Sequence, residues 1–587
     1  MSGQPVPAGL DIEPHVLREY ALIADGERGA LVGPRGDVVW MCAPSWDSDA
    51  VFTSMIGGRG GYAITPVDRY VWGGSYEPGT LIWRSRWVTA DSVVECREAL
   101  AFPGEEHRAV LLRRVIAVDR DARVRIVLQP RAEFGKRALS GLKREGKVWT
   151  GRTGNLRMRW SGGGPAQPTG AAGNHALSVE MTVPAGEHLD LVLEISDQAL
   201  PDEPVRPDDA WRATENAWHD AVPTPRSCLS PVETRQSYAV LRGLTSAGGG
   251  MVAAATTSLP ERAAAGRNYD YRFVWIRDQC FAGQAVAADG PHELLDRAVR
   301  FVGARLLEHG DRLAPAYTAS GDTVPDQREL KLSGYPGGHD RVGNWVNKQF
   351  QLDTFGESLL LFAAAARHDH LDEQSWRAAE IAINAIAHRW TEVDAGIWEI
   401  DNRAWTHSRL ICAAGLRAIA AARPSGGRAG DWLALADRIV ANTAAHALHP
   451  SGRWQRSPDD VALDGALLLP PIRGALPASD PRTVATLRGY EQELTLNGYA
   501  FRFRHDERPL PEAEGSFLFC GFLMALATHQ QGEDVKAARW YERTSAACGP
   551  PVLYSEEFDP DQHQLRGNLP QAFVHALQFE TSVRLAE

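Results

Sequence analysis

The chain has 587 residues, too many for one ordinary domain and enough for two to four. Hydrophobic residues make up 44% and charged residues 23%, the balance of a globular protein that can bury a large core. A formal net charge of -12 argues against nucleic-acid or anionic-membrane partners, which are held by basic patches, and suits a neutral ligand such as a sugar.

The seven cysteines are scattered and show no C-x-x-C spacing, as in a reduced cytoplasmic protein; they give neither a disulfide framework nor a zinc site. The opening segment MSGQPVPAGLDIEPH lacks a basic stretch followed by an apolar run, so no signal peptide is expected. No apolar stretch reaches bilayer-spanning length. The expectation is a cytoplasmic protein with no membrane partner, and a homo-oligomer stays open. The 18 tryptophans serve a core first, but a tryptophan face also stacks on the apolar face of a pyranose.

Residues 1–205 read as short strands punctuated by Gly, Pro and Asp. GALVGPRGDVVWMC, RAVLLRRVIAV, RVRIVLQP, LRMRW, ALSVEMTV and HLDLVLEI alternate apolar and polar residues, as half-buried strands do. Together they predict an antiparallel β-sandwich, with Ser161–Gly173 as a flexible loop. Residues 206–228 are Pro-rich at both ends around WRATENAWHDA and predict a linker with one short helix. From residue 229 to 587 the spacing turns helical, with roughly twelve amphipathic or apolar stretches. ELLDRAVRFVGARLLEH, DTFGESLLLFAAAARH and SFLFCGFLMALATHQ are examples. Long loops rich in Gly, Pro and aromatic residues follow alternate helices, the pattern of an (α/α)6 toroid whose loops gather at one end.

No phosphate-binding, zinc-protease or serine-hydrolase motif occurs. The His368-Asp369-His370 run at a helix end reads as a solvated turn, and no metal or cofactor is expected. What remains are carboxylates among aromatic and arginine residues, in NYDYRFVWIRD (Asn268–Asp278), GIWEI (Gly396–Ile400) and LYSEEFDP (Leu553–Pro560). Glycoside cleavage needs one carboxylic acid to protonate the leaving oxygen and a second carboxylate to attack the sugar or activate water. Glu399, beside Ile397 and Trp398, is expected in an apolar setting that keeps it protonated. Glu556 follows Ser555, whose hydroxyl would hold it ionised. Arg277 and Asp278 form either a donor–acceptor fork for neighbouring sugar hydroxyls or a buried ion pair that ties a loop together.

These blocks resemble glycoside hydrolase family 15, the glucoamylase family, in its two-domain bacterial form that also includes trehalases. The resemblance rests on ALVGPRGDVVWMCAPSWDSDAVFTSMIGG, GGYAITP, VAAATTSLPE, NYDYRFVWIRD, ELKLSGYPGGHDRVGN, QFQLDTFGE, GIWEI, HSRLI, LDGALLLPP, EGSFLFC, LYSEEFDP and GNLPQAF, all in the family's order. It covers nearly the whole chain and implies an N-terminal β-supersandwich followed by an (α/α)6 barrel. It also implies exo attack at a non-reducing glucose with inversion, Glu399 as general acid and Glu556 as general base. Carried over residue by residue, Arg277 and Asp278 match the pair that grips the terminal glucose, and Trp275 matches an aromatic of the pocket wall. Trp398 accompanies the acid, and Arg502 or Arg504 falls where the family has a substrate-contacting arginine. In this mechanism the two carboxyl groups stand about 6.5–9.5 Å apart.

The sequence departs from the family at four places. Lys348 replaces an acidic residue before QFQLD, Trp345 replaces a small one, and Ala413 and Arg417 stand near a usual Trp and Asp after HSRLI. The substrate is left between maltooligosaccharides and α,α-trehalose. A catalytically silent sugar-binding protein would be expected to lose one of the two glutamates. A phosphorolytic enzyme on the same barrel would not need Glu556.

Overall fold

Residues alternate along the strand Arg108–Ala117, and the alternation sets two faces. Ala109, Leu111, Val115 and Ala117 point into one core, while Val110 and Leu112 point into another. The first core lies between two antiparallel sheets. A nine-stranded sheet carries Arg108–Ala117 near its centre, and an eight-stranded sheet, which also pairs with Ala50–Phe52, faces it. Ile23, Val38, Ile64, Val124 and Ile126 of the second sheet meet Trp87, Cys96, Leu111 and Leu193 of the first. The N-terminal third is therefore an antiparallel β-sandwich. Arg113 lies inside it, fully buried, paired with Glu98 and donating to the carbonyls of Tyr62 (2.9 Å) and Gly36 (2.7 Å), so its charge is matched where it could not be hydrated.

The structure, a computed structural model, describes residues 2–3, 12–170, 175–263, 265–423, 428–505 and 508–587. Within the expected loop Ser161–Gly173, Gln167–Thr169 adds an edge strand, and residues 171–173 lie outside the described residues. The segment after the sandwich is more ordered than a linker. Pro207–Ala221 is a 15-residue helix with proline in its first turn. Trp218 stacks on Phe102 at 4.0 Å between ring centres, and Arg97 covers Trp211 at 4.6 Å. Arg97–Glu215 and Arg114–Asp208 ion pairs fasten the helix to the outer face of the nine-stranded sheet.

Helices make up most of the rest. Ile276–Ala287, Asp353–Ala366, Thr406–Ala422, Leu469–Ile472, Leu518–His529 and Ala572–Arg584 each pack on the next, and the last packs on the first. Those of this group that are long are buried almost all round: every residue of Ile276–Ala287 is buried. Pro231–Gly243, Glu293–His309, Glu373–Arg389, Ala429–His446 and Asp534–Ser545 lie against them with one apolar face. Among the described residues no helix is long and apolar enough to cross a membrane, and the seven cysteines are unpaired.

Sandwich and helices share one continuous core, in which Leu22, Trp40 and Ile56 cluster with Leu259, Val274 and Ile276. Trp40 Nε1 donates to the Ala255 carbonyl at 2.8 Å. Arg272 is the polar centre of the contact. Its guanidinium donates to Asp270 (2.9 and 2.7 Å) and to the carbonyls of Ser48 (2.9 Å) and Trp46 (3.3 Å) on a sandwich loop. Asp270 in turn accepts Gly343 N at 2.8 Å. Replacing Arg272 with methionine leaves Asp270 buried without its cation, and we expect urea denaturation to show a loss of about 3–5 kcal/mol. A loss below about 1 kcal/mol would contradict the role given to this ion pair.

Candidate active site

The loops after alternate helices enclose a cavity of about 510 Å³, within the range of small-molecule sites. The first block enters it by a sharp local change. Val274–Trp275 pairs with Ala316–Tyr317 as a short ribbon, and the chain then turns into the helix Ile276–Ala287. Trp275, Arg277 and Asp278 are thereby held at a helix start, where the dipole favours the Asp278 carboxylate. Arg277 Nη2 lies 3.4 Å from Asp278 Oδ2 and 3.5 Å from Glu399 Oε1, and its Nη1 donates to Gln351 at 3.2 Å. Burial raises the Asp278 carboxyl to about 6, against the pull of Arg277. Asp278 Oδ2 is buried and, apart from the Arg277 ion pair, has no hydrogen-bond partner among the described residues. Both residues line the cavity.

Glu399 sits in a strained loop. Its φ is +55°, in the left-handed region that costs a residue with a side chain about 1–3 kcal/mol. The loop is fixed by Gly396 N donating to Asp394 at 2.9 Å, and Asp394 is in turn bound by Ser408 (2.8 Å) and Arg409 (2.6 Å). The setting of the Glu399 carboxyl differs from the apolar one expected. Trp275 Nε1 donates to its Oε1 at 2.7 Å and Arg277 approaches the same oxygen, because the helix start delivers two donors there. No hydrogen bond among the described residues reaches Oε2. Trp398 is turned by a 2.7 Å bond from its Nε1 to Asp464, and its ring packs edge-on against Phe517 and Phe519.

Glu556 stands opposite. It precedes the strand Glu557–Asp559, which pairs with Ser516–Phe517, and its carbonyl accepts Leu518 N at 3.1 Å. Ser555 does not hold it: the Ser555 hydroxyl donates to the Glu557 carbonyl at 2.8 Å. Successive side chains of an extended segment leave on opposite sides, so sequence adjacency does not bring the hydroxyl to the carboxylate. Tyr271 supplies that donor instead, with Oη 3.2 Å from Glu556 Oε2. Tyr271 and Trp275 form a T-shaped pair with ring centres 5.6 Å apart. One aromatic pair therefore donates to both carboxyl groups, Trp275 to Glu399 and Tyr271 to Glu556. Burial and the charge of Glu261 push Glu556 well above the usual carboxylate range, while Arg502 and Tyr271 pull it down.

The family model described as "Glycosyl hydrolases family 15" matches residues 236–583, and "Trehalase-like, N-terminal" matches residues 12–162. The chain belongs to glycosyl hydrolase family 15. It is an O-glycoside hydrolase. A trehalase of Mycobacterium tuberculosis (strain ATCC 25618 / H37Rv) is 30% identical over 95% of this chain and 88% of its own length. A trehalase of Mycolicibacterium smegmatis (strain ATCC 700084 / mc(2)155) is 29% identical over 95% and 89%. A bacterial glucoamylase solved in complex with acarbose superposes with a TM-score of 0.70 over 100% of this chain and 97% of that chain. At 12% identity this likeness is one of fold.

In this family-15 hydrolase Trp275, Arg277, Asp278, Trp398, Glu399, Arg502 and Glu556 all line the cavity. Arg504 does not: it is exposed, and among the described residues it donates to the carbonyls of Glu493 and Arg508. Of the four departures, Trp345 lines the cavity and is 53% exposed. Lys348 pairs with Asp326 at 3.6 Å outside it, Ala413 is core, and Arg417 pairs with Asp437 at 2.7 Å on the outside of its helix. His370 pairs with Asp296 at 2.7 Å. The group among the described residues able to hold a metal is His188 and Asp190 on the sandwich with Asp208 on the docked helix, where Arg114 already pairs with both aspartates. Sequence reasoning missed Glu261, Tyr271 and His505 as cavity residues. Tyr271 lay inside a block already singled out, and Glu261 ends the SLPE run just ahead of it.

Gly396 has φ +66°, and a Cβ there would stand 2.7 Å from the Trp405 ring. The Gly396→Ala variant should lose about 1–3 kcal/mol in thermal unfolding, since both the backbone and the ring must move. An unchanged melting temperature would contradict the strained-loop description.

Proposed function

We propose that this enzyme is an inverting exo-hydrolase that releases glucose from α,α-trehalose, with Glu399 as general acid and Glu556 as general base. The observation that carries this reading is the Tyr271–Trp275 pair. It donates to two carboxyl groups on one cavity and spaces them by two aromatic rings. The choice of trehalose is supported by relatives named trehalase that align with nearly the whole chain. The closed sequence of helix contacts supports an (α/α)6 barrel, with the chain divided into a sandwich (1–205), a docked connecting helix (206–228) and a catalytic domain (229–587).

In the proposed reaction Glu399 gives its proton to the glycosidic oxygen while Glu556 takes a proton from a water on the opposite face of the ring. The C1–O bond to the leaving glucose breaks as the water oxygen bonds to C1. Inversion requires the two carboxyl groups to stand about 6.5–9.5 Å apart, with room for that water. Arg277 and Asp278 bind hydroxyls of the glucose that is attacked, since a hydroxyl donates to one and accepts from the other. Trp275 and Trp398 bound its apolar face, and Arg502 holds the acidic wall near Glu556. No step uses a metal or an organic cofactor.

Glucose release from trehalose, maltose, maltotriose and isomaltose, followed for the wild type, Glu399→Gln and Glu556→Gln, tests this reading. Trehalose should be the preferred sugar, and each variant should lose at least about 10²–10⁴-fold in kcat. Preference for maltotriose would make the enzyme a glucoamylase. Full activity in Glu556→Gln would remove the base.

A further inference from the structure

Behind Glu556 the cavity wall is unusually acidic. Glu261, Glu514, Glu556 and Glu557 are each at most 5% exposed. The permanent cations among them are Arg502 and Arg267. Arg502 Nη2 lies 3.6 Å from Glu261 and 3.5 Å from Glu557, and Arg502 Nε pairs with Glu514. Arg267 lies 3.7 Å from Glu261 and 3.6 Å from Glu514. His505 adjoins Glu514. Tyr269 and Tyr271 close the wall from the NYDYRFVWIRD block, with Glu399 and Arg277 beyond the Trp275 ring. Among the described residues four carboxylates face two arginines, so even a protonated His505 leaves one negative charge unmatched in a buried place. Such an excess is relieved by a proton held on a carboxyl group.

The geometry names the pair concerned. Gly567 N donates to the Pro260 carbonyl at 2.9 Å, drawing the segment that ends in Glu261 against the one after Glu556. A Cβ on Gly567 would touch both side chains, 3.7 Å from Glu261 Cγ and 3.6 Å from Glu556 Cβ. The Gly567 contact sets the Glu261 side chain beside that of Glu556, and a Cβ there would also lie 3.9 Å from Glu556 Oε2. Glu514 and Glu557 instead face Arg502, and Glu557 also accepts Gly515 N at 3.0 Å.

We propose that Glu261 is a positioning residue for the base: its carboxylate, set beside Glu556 in a wall with more carboxylates than cations, sets the lower edge of the pH range in which Glu556 can take a proton from water. This rests on the reading of Glu556 as the base. Tyr271 donates to Glu556 and favours its ionised form, while the Glu261 carboxylate beside it opposes ionisation. When pH falls and Glu556 takes a proton, catalysis stops. The negative charge available to Glu261 raises the pH at which this happens, consistent with Glu261 being the charged neighbour that most raises Glu556. Paired sites titrate as a unit, so the rate profile reports values of the pair.

The test is kcat/KM on trehalose against pH for the wild type, Glu261→Gln, Glu514→Gln and Glu556→Gln. Glutamine keeps the size of the side chain and removes the Glu261 charge, so the acid limb of Glu261→Gln should move to lower pH by about one unit, with the alkaline limb in place. Glu514→Gln, which also frees Arg502 of a partner, should move it less. An acid limb that stays put while the rate falls equally at every pH would mean a structural role and overturn the proposal, as would equal shifts in Glu261→Gln and Glu514→Gln. Activity retained in Glu556→Gln would overturn the base itself, whatever Glu261 does; an inactive Glu556→Gln beside an unmoved limb sinks only the proposal. Should Glu261→Gln fail to fold, Glu261→Asp, which draws the carboxyl back by one methylene, should shift the limb in the same direction by a smaller amount, and no shift there overturns the proposal.

Discussion

Two carboxyl groups must face one cavity at a fixed separation, with a donor aimed at each, and the edge-to-face contact of Tyr271 with Trp275 meets both demands. The rings are stiff, have few rotamers and carry one donor apiece. Trp275 Nε1 fixes one oxygen of Glu399 and leaves the other without a partner among the described residues, while Tyr271 Oη favours the ionised form of Glu556. Most other features of the site keep this pair in place. The ribbon between Val274–Trp275 and Ala316–Tyr317 sets the angle of Trp275, and the Glu399 loop accepts a positive φ to bring its carboxyl to the indole.

The β-sandwich contributes at a distance. Tyr271 stands between Asp270 and Arg272, and both neighbours are spent on the domain contact, Arg272 gripping the carbonyls of Trp46 and Ser48 and Asp270 gripping Gly343. In an extended segment the residues on either side of Tyr271 point away from it, so Arg272, anchored in the sandwich, and Asp270, held by Arg272 and Gly343, present Tyr271 to the cavity. Among the described residues no sandwich residue lines that cavity. The sandwich acts through the backbone it holds, within one continuous core.

The parts of the site that could be read from the sequence are those whose geometry is local. Trp275, Arg277 and Asp278 are grouped by a helix start, and Glu399 by a tight loop with Gly396. The misreadings share one cause, the behaviour of extended chain. Ser555 was assigned to Glu556 by adjacency, yet neighbours in extended chain diverge. Arg502 and Arg504 were indistinguishable because residues two apart share a side, and only the fold buries Arg502 against Glu514 while leaving Arg504 in solvent. Glu261 carried no local mark, because its partner lies almost 300 residues away and is met through the backbone contact of Gly567 with Pro260. The β-sandwich and the run of helices were legible because their periods of two and 3.6 persist over long stretches.

The central claim is that Glu399 and Glu556 stand far enough apart for water, not Glu556, to attack the sugar. Proton NMR of the glucose first formed from α,α-trehalose, recorded before mutarotation, tests it most directly. Inversion at the attacked centre gives β-glucose from that residue and α-glucose from the leaving one, so the expected initial product is an equal mixture of the two anomers. α-Glucose alone would mean retention through a glycosyl-enzyme intermediate and would contradict the account.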